Sequence, residues 1–448
     1  MVQRGYCHVG RALTVGLTCH LPQPVLAAAG WREGERIRLN FGSAWVQAEV
    51  RSAAGSTWRI SSRLLGRLRL PARRWYYQLD SARRTIRFGP LIGILTTWQI
   101  TPYFRSVMRA AARRGMMAVV IHVSDIRPGA RYVMAHGYQG GAVRSLMLPW
   151  PNVVYNRIPN RGGERLVTTR VAKRALRLRG IPVFNWKFFH KLVLYRLLER
   201  DEIARAYLPE TYPLRAMSQV GRFLRKYPMV YLKPNGGSKG HGIVKINRLP
   251  GGGYAVAFRR GNQNYRLISG SWAEAEMHAR RGMQRRSYIM QEGLMLARYR
   301  GRPFDIRVTL YKNGDGDWIP SGPAAKIAGR GSVTTHVVSG GRVVPLNQAL
   351  RVTFGDRAEE IRQRIYEASV TLAQALERVT RSEMGELGLD IGVTAQGRVA
   401  MFEANSKPGR AIFSPGWAAR DRRTSLICLC DYAARLAWGT DGGVEANG

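Results

Sequence analysis

The run from Leu91 to His122 constrains the fold more than any other part of the chain. Leu91–Leu95 is an apolar strand of the buried type, Pro102–Arg114 spaces its apolar residues as an amphipathic helix, and Met116–His122 is a second apolar strand. Two apolar strands joined by a helix imply parallel pairing, with both sheet faces covered. The rhythm continues through Asn152–Tyr155, Arg165–Arg179 and Val183–Asn185, so residues 89–185 read as an α/β domain. Before the boundary at Gly89-Pro90 the character differs. Arg36–Leu39 and Ala44–Arg51 alternate, and Gly30, Gly34, Gly42 and Gly55 mark bends. Residues 1–88 carry 15 Arg against four acidic residues and read as a small, basic, mostly-β module. From Lys187 onward, helices at Phe188–Arg200, Met217–Lys226 and Ala358–Arg378 mix with antiparallel hairpins at 229–247, 304–319 and 388–405. That mixture predicts an α+β domain over 186–438, followed by a flexible Gly- and acid-rich tail at 439–448.

A chain of 448 residues predicts two or three domains, and 45% hydrophobic residues suffice for their cores. The net charge of +42 is spread along the whole chain. Only ten of the 71 basic residues are Lys. Where the chain needs positive charge alone it uses Arg, so Lys187, Lys191, Lys233, Lys239, Lys326 and Lys407 stand out. A compact ammonium suits a tight phosphate pocket better than a planar guanidinium. Nucleic acid ranks last among the partners that such a charge suggests, because no reader motif accompanies it. Cys7, Cys19, Cys428 and Cys430 have neither zinc-site nor disulfide-framework spacing, which points to a reducing compartment. No apolar run reaches membrane-spanning length, and Arg4, His8 and Arg11 interrupt any signal-like stretch. A cytoplasmic location, or an internal structure made in the cytoplasm, is expected.

Several segments carry chemistry. Leu389–Val393 and Val399–Asn405 read as a hairpin turning at Thr394–Gly397. Pairing Val393 with Arg398 sets Asp390 opposite Met401 and puts Asp390, Glu403 and Asn405 on one face. Leu389, Ile391, Val393, Phe402 and Ala404 take the other. Three oxygen donors on one rigid face suggest Mg²⁺, which few protein carboxylates hold and which phosphates and water complete. Upstream, a strand ends at Lys233, and glycines crowd Gly236-Gly237-Ser238-Lys239-Gly240-His241-Gly242. Glycines let backbone N–H groups approach a polyphosphate, and a hairpin loop folding over a nucleotide fits this spacing better than a P-loop does. Asp305 and Arg307 share one strand face, where Arg307 can grip a phosphate or carboxylate. Gln291, Glu292 and Leu294 close an apolar strand that could offer backbone groups to a base and Glu292 to a ribose. His190 and His241 read as solvent-facing or structural, and the Cys428/Cys430 pair as core packing in the last helix.

The order Lys191, Lys233 with its Gly-rich loop, Gln291–Leu294, Asp305-x-Arg307, Asp390 and Glu403-x-Asn405 resembles the ATP-grasp superfamily. More narrowly, Gly89–Thr96, Asn152–Arg161 and Leu208–Thr211 are similar to the endospore coat-associated YheC/YheD-like family. The resemblance covers about residues 89–435. It implies a pre-ATP-grasp α/β domain before a two-lobed ATP-grasp domain, with ATP and one or two Mg²⁺ (Mn²⁺ as the alternative) between the lobes. Lys191 and Lys233 would contact phosphates under a loop of Gly236, Gly237, Ser238, Gly240 and Gly242. Gln291, Glu292 and Leu294 would line the adenine and ribose site. Asp390, Glu403 and Asn405 would hold metal, and Arg307, with Asp305 and Lys326, would serve catalysis. Lys326 stands where related ligases often carry Arg, and His336 near where they often carry Asn. The implied activity is a carboxylate–amine ligase that forms an acyl phosphate, with both substrates unspecified and spore-coat proteins as partners. A coat structural role that keeps the fold for binding, or an ATP-grasp kinase, are the alternatives.

Overall fold

The computed structural model describes residues 2–139, 141–235, 241–261, 263–329, 332 and 341–439. Gly236, Gly237, Ser238, Lys239, Gly240, His336 and the tail beyond Gly439 lie outside the described residues.

Residues Val2–Phe88 form a closed seven-stranded barrel with two short helices, Gln23–Ala29 and Ser62–Leu68. Closure removes the free edges that short alternating strands would otherwise expose. The barrel shares one apolar core with the sheet that follows, since Leu39, Phe41 and Phe88 join Leu91, Leu95, Val119 and Trp150. Gly42 makes this junction close. It has φ +56, and a Cβ there would meet the Trp150 carbonyl oxygen at 2.6 Å.

The second sheet orders Ala142–Pro149, Tyr132–Gln139, Met117–His122, Leu91–Thr96, Val153–Asn156 and Val183–Phe184. Its last four strands are parallel, as the β-α-β rhythm requires. The helix Pro102–Arg113 begins where Thr101 accepts a hydrogen bond from the Phe104 amide at 3.2 Å. It buries Phe104, Val107, Met108 and Ala111, one face at i, i+3, i+4 and i+7. The antiparallel hairpin Tyr132–Pro149 was not foreseen, although Gly140-Gly141 between two alternating runs carries its signal.

Two further antiparallel sheets follow. One orders Thr211–Leu214, Tyr288–Glu292, Met229–Pro234, Val244–Arg248, Tyr254–Arg260 and Gln263–Ser269. It encloses its own core with the helices Met217–Lys226 and Trp272–Gly282. The other orders Arg342–Pro345, Trp318–Ile327, Arg302–Lys312, Glu386–Val393 and Val399–Asn405. The helix Ala358–Thr380 covers it with Ile361, Ile365, Ala368, Leu372 and Leu376. The helix expected over Phe188–Arg200 begins only at Lys191 and ends at Leu198. Ahead of it Asn185 sits at φ +58, and Arg161 binds the Phe189 carbonyl at 2.7 Å, holding that stretch out of helical geometry. The final helix, Ala419–Trp438, turns Cys428 toward Tyr311, Ala324 and Phe413, and Leu429, Cys430 and Tyr432 toward Ile92, Ile94 and Phe184. All four cysteines are buried and free. No helix of the described residues is long and apolar enough to cross a membrane.

Candidate nucleotide site between two sheets

The register of the last sheet builds a charged row. Arg307 pairs across the strands with Asp390, and Asp390 with Glu403, while Asp305 pairs with Lys326. The expected hairpin register is corrected. Val393 pairs with Val399, not Arg398, and Thr394–Arg398 makes a wider turn in which Gly397 has φ +90. A β-bulge then inserts Phe402 between the Ile391–Met401 and Asp390–Glu403 pairs. One extra residue exchanges the faces on either side of it. Met401 therefore enters the core, Phe402 lines a cavity, and Glu403 lies directly opposite Asp390 rather than a diagonal step away.

That cavity, of about 560 Å³, lies between the last two sheets. Lys191, Lys233, Gln291, Glu292, Leu294, Asp305, Asp390 and Glu403 all line it. Arg307, Lys326, Gly242 and Asn405 are not among its lining residues. Asn405 sits at the strand end, paired with Gly388. Gly242 has φ +74 and gives its carbonyl to the Tyr288 hydroxyl at 2.9 Å, anchoring the returning end of the Gly-rich segment.

Arg307 and Lys326 act from behind the wall. Arg307 grips Asp390 through both carboxylate oxygens, Nε to Oδ1 at 2.7 Å and a terminal nitrogen to Oδ2 at 2.9 Å. Lys326 Nζ stands 2.9 Å from Asp390 Oδ1 and 3.1 Å from Asp305 Oδ1, so one ammonium ties two carboxylates. Burial alone would raise the Asp390 pKa, but Arg307 and Lys326 outweigh it and hold the carboxyl well below the usual range. For Lys326, burial favours the neutral amine, and Asp305 and Asp390 reverse that to raise its pKa. Asp390 thus faces the cavity ionised.

Two lysines face this carboxylate row. Lys191 Nζ lies 3.0 Å from Glu403 Oε2. Lys233 binds the Gln291 side-chain oxygen, whose amide is oriented by a 2.8 Å hydrogen bond to Thr211 Oγ1. Its ammonium also lies 5.3 Å from the Phe402 ring centroid. Burial, and then the neighbouring Lys191, push the Lys233 pKa down to about 8. The Lys191 helix is fastened on both sides. Asn235 accepts from the Leu192 amide at 3.1 Å, and the Tyr195 hydroxyl lies 2.9 Å from the Phe402 carbonyl oxygen and 3.0 Å from that of Met401. On the remaining wall Glu292 is already engaged by Arg398 at 3.0 Å and the Glu210 amide at 3.1 Å.

Among the described residues no group of three or more His, Cys, Asp or Glu is placed to hold a metal. The donors that face the cavity opposite each other are two, Asp390 and Glu403. That set fits Mg²⁺, which takes one or two carboxylates and completes its shell with phosphate and water. Sequence reasoning missed Tyr195, Asn235, Arg398 and the inward face of Phe402. Tyr195, four residues beyond Lys191 and so on the same helical face, carried a usable signal.

The YheC/D like ATP-grasp family matches residues 180–436. The chain is 30% identical to endospore coat-associated protein YheD of Bacillus subtilis (strain 168), across 74% of this chain and 75% of that protein. It is 23% identical to endospore coat-associated protein YheC of the same organism, across 52% and 61%. Among solved structures it is similar to the ATP-grasp ligase PsnB complexed with minimal precursor, with 14% identity, 78% and 99% coverage and a TM-score of 0.46. It is also similar to D-alanyl-alanine synthetase A from Vibrio cholerae, with 13% identity, 77% and 98% coverage and a TM-score of 0.44. With the family matching more than half its length and a relative this similar over three quarters of both chains, the protein belongs to the YheC/D-like ATP-grasp family.

Proposed function

We propose that the cavity binds ATP with Mg²⁺ and that the protein is a carboxylate–amine ligase working through an acyl phosphate. The observation that carries this reading is the carboxylate pair Asp390–Glu403 lining one cavity together with Lys191 and Lys233. Phosphoryl transfer needs positioning and neutralised charge more than a side-chain nucleophile. Lys191 and Lys233 supply cations for the phosphates. Gln291, Glu292 and Leu294 would line the base and ribose end. Asp390 and Glu403 would hold Mg²⁺, with Asn405 two residues further along the strand as the third proposed donor, and the ion when bound would neutralise the phosphate oxygens. Arg307 and Lys326 keep Asp390 ionised and fixed, and Asp305 shares Lys326 with it. A substrate carboxylate oxygen attacks the γ-phosphorus as ADP leaves. The amine then attacks the acyl carbon as phosphate leaves. We place the protein in association with the spore coat, as its relatives' names indicate, and coat proteins are the proposed partners.

Hydroxylamine tests the reaction class. The full chain with ATP, Mg²⁺ and a panel of amino acids, peptides and polyglutamate is expected to release ADP and form a hydroxamate with the right acid. ADP release with phosphate transferred to a hydroxyl would instead indicate a kinase, and an absence of nucleotide binding would indicate a coat structural role.

Lys233 adds a pH signature. Unfolded Lys titrates near about 10.4. Between about 8 and that value the unfolded chain holds a proton the folded one has lost, so this group makes stability rise with pH. Below about 8 both states are protonated, and the full cost of burying the cation is present. Phosphates restore the proton. Calorimetry of ADP binding in buffers of different ionisation enthalpy should show uptake of about half a proton at pH 8 in the parent and none in Lys233→Arg. Equal heats in all buffers would refute the contact.

A further inference from the structure

A second cavity, of about 620 Å³, runs along the helix Val167–Leu178 and shares no lining residue with the first. Arg170, Lys173, Arg174 and Arg177 reach it from one face of that helix, at i, i+3, i+4 and i+7. Trp186 and Lys187 line it from the segment after the last parallel strand. The lining holds five cations and a single carboxylate, Glu164. Glu164 is already saturated: Lys173 and Lys407 both donate to it, as does Asn156 Nδ2 at 3.0 Å. Lys173 is buried and the Lys407 side chain is 2% exposed, so the floor already gives its one carboxylate two lysine partners and leaves it nothing to offer the exposed arginines. Among the described residues Arg170, Arg174, Arg177 and Lys187 have no carboxylate partner. Like charges one turn apart weaken a helix, so helix stability does not account for the row.

We propose that this groove binds an acidic peptide segment, with Arg170, Arg174 and Arg177 pairing with successive carboxylates. Arg forks match carboxylates bidentately. From Arg170 to Arg177 the helix rises about 10 Å, the span of about three extended residues. A single-stranded nucleic acid would need a bare aromatic face for stacking. Trp186 is half-buried and already engaged by cations, with Lys173 Nζ 4.8 Å and Arg177 Cζ 4.9 Å from its ring centroid. The groove requires no nucleotide in the first cavity.

The test is fluorescence anisotropy of fluorescein-labelled hexaglutamate with the full chain. Arg170→Glu/Arg174→Glu changes two exposed residues without ion partners and is expected to weaken binding at least tenfold. Arg63→Glu/Arg67→Glu, an equal charge reversal on the barrel helix Ser62–Leu68, is expected to weaken it less than twofold. Equal losses in both would show attraction to overall charge and overturn the proposal. Displacement of the peptide by an equal or lower concentration of hexathymidylate would also overturn it, in favour of nucleic acid. Should the double variant unfold, Arg174→Gln is read the same way, with an expected loss of about threefold.

Discussion

Replacing Glu403 by alanine is expected to lower kcat/KM for ATP turnover by at least about a thousandfold, roughly 4 kcal/mol of transition-state stabilisation. Glu403 faces the cavity opposite Asp390, and on the proposed reading its loss removes one of two carboxylates that would hold Mg²⁺ against the phosphates. Folding should lose less than catalysis does. Glu403 is a quarter exposed and makes one ion pair, with Lys191, so its loss should cost less than breaking the more enclosed pair of Arg307 and Asp390. Steady-state ADP release and urea unfolding separate the two effects. Turnover at parental rates would sink the metal assignment.

Arg307→Ala should do the opposite first. Arg307 and Asp390 are largely buried, and truncating one partner leaves a carboxylate inside with Lys326 alone. Breaking a buried pair in this way costs about 3–5 kcal/mol. A drop of that size in unfolding free energy is expected, read from urea unfolding. Arg307→Lys should recover only part of it, since an ammonium cannot reproduce the two-point grip. An unchanged urea midpoint for Arg307→Ala would show that Asp390 does not depend on this partner. The Asp390 contribution is present above the ordinary carboxylate pKa of about 3.9 and is lost as pH falls through its lower folded value.

Local signals were legible where local chemistry decides the structure. The helix Met217–Lys226 falls where its spacing of Met217, Val220, Phe223 and Leu224 places it. Asp305-x-Arg307 could be read as a strand face from which Arg307 grips a phosphate or carboxylate, without showing which one. Its meaning comes from a pairing with Asp390, 83 residues away. The face of Phe402 was misread because a bulge leaves no mark in an alternating pattern. Barrel closure was hidden for a similar reason, since its strands pair out of sequence order, the first with the fifth and sixth.

The distribution of cores has a mechanical consequence. The last helix is wedged between the parallel sheet and the sheet of Asp390, and Trp438 stacks on Tyr76 of the barrel at 5.3 Å. The barrel and the last helix are thereby clasped into one body. The sheet carrying Lys233 keeps its own enclosed core. Among the described residues, the core of this wall of the cavity is separate from the cores that hold the body together. A displacement of that wall would then leave the apolar packing of the body intact.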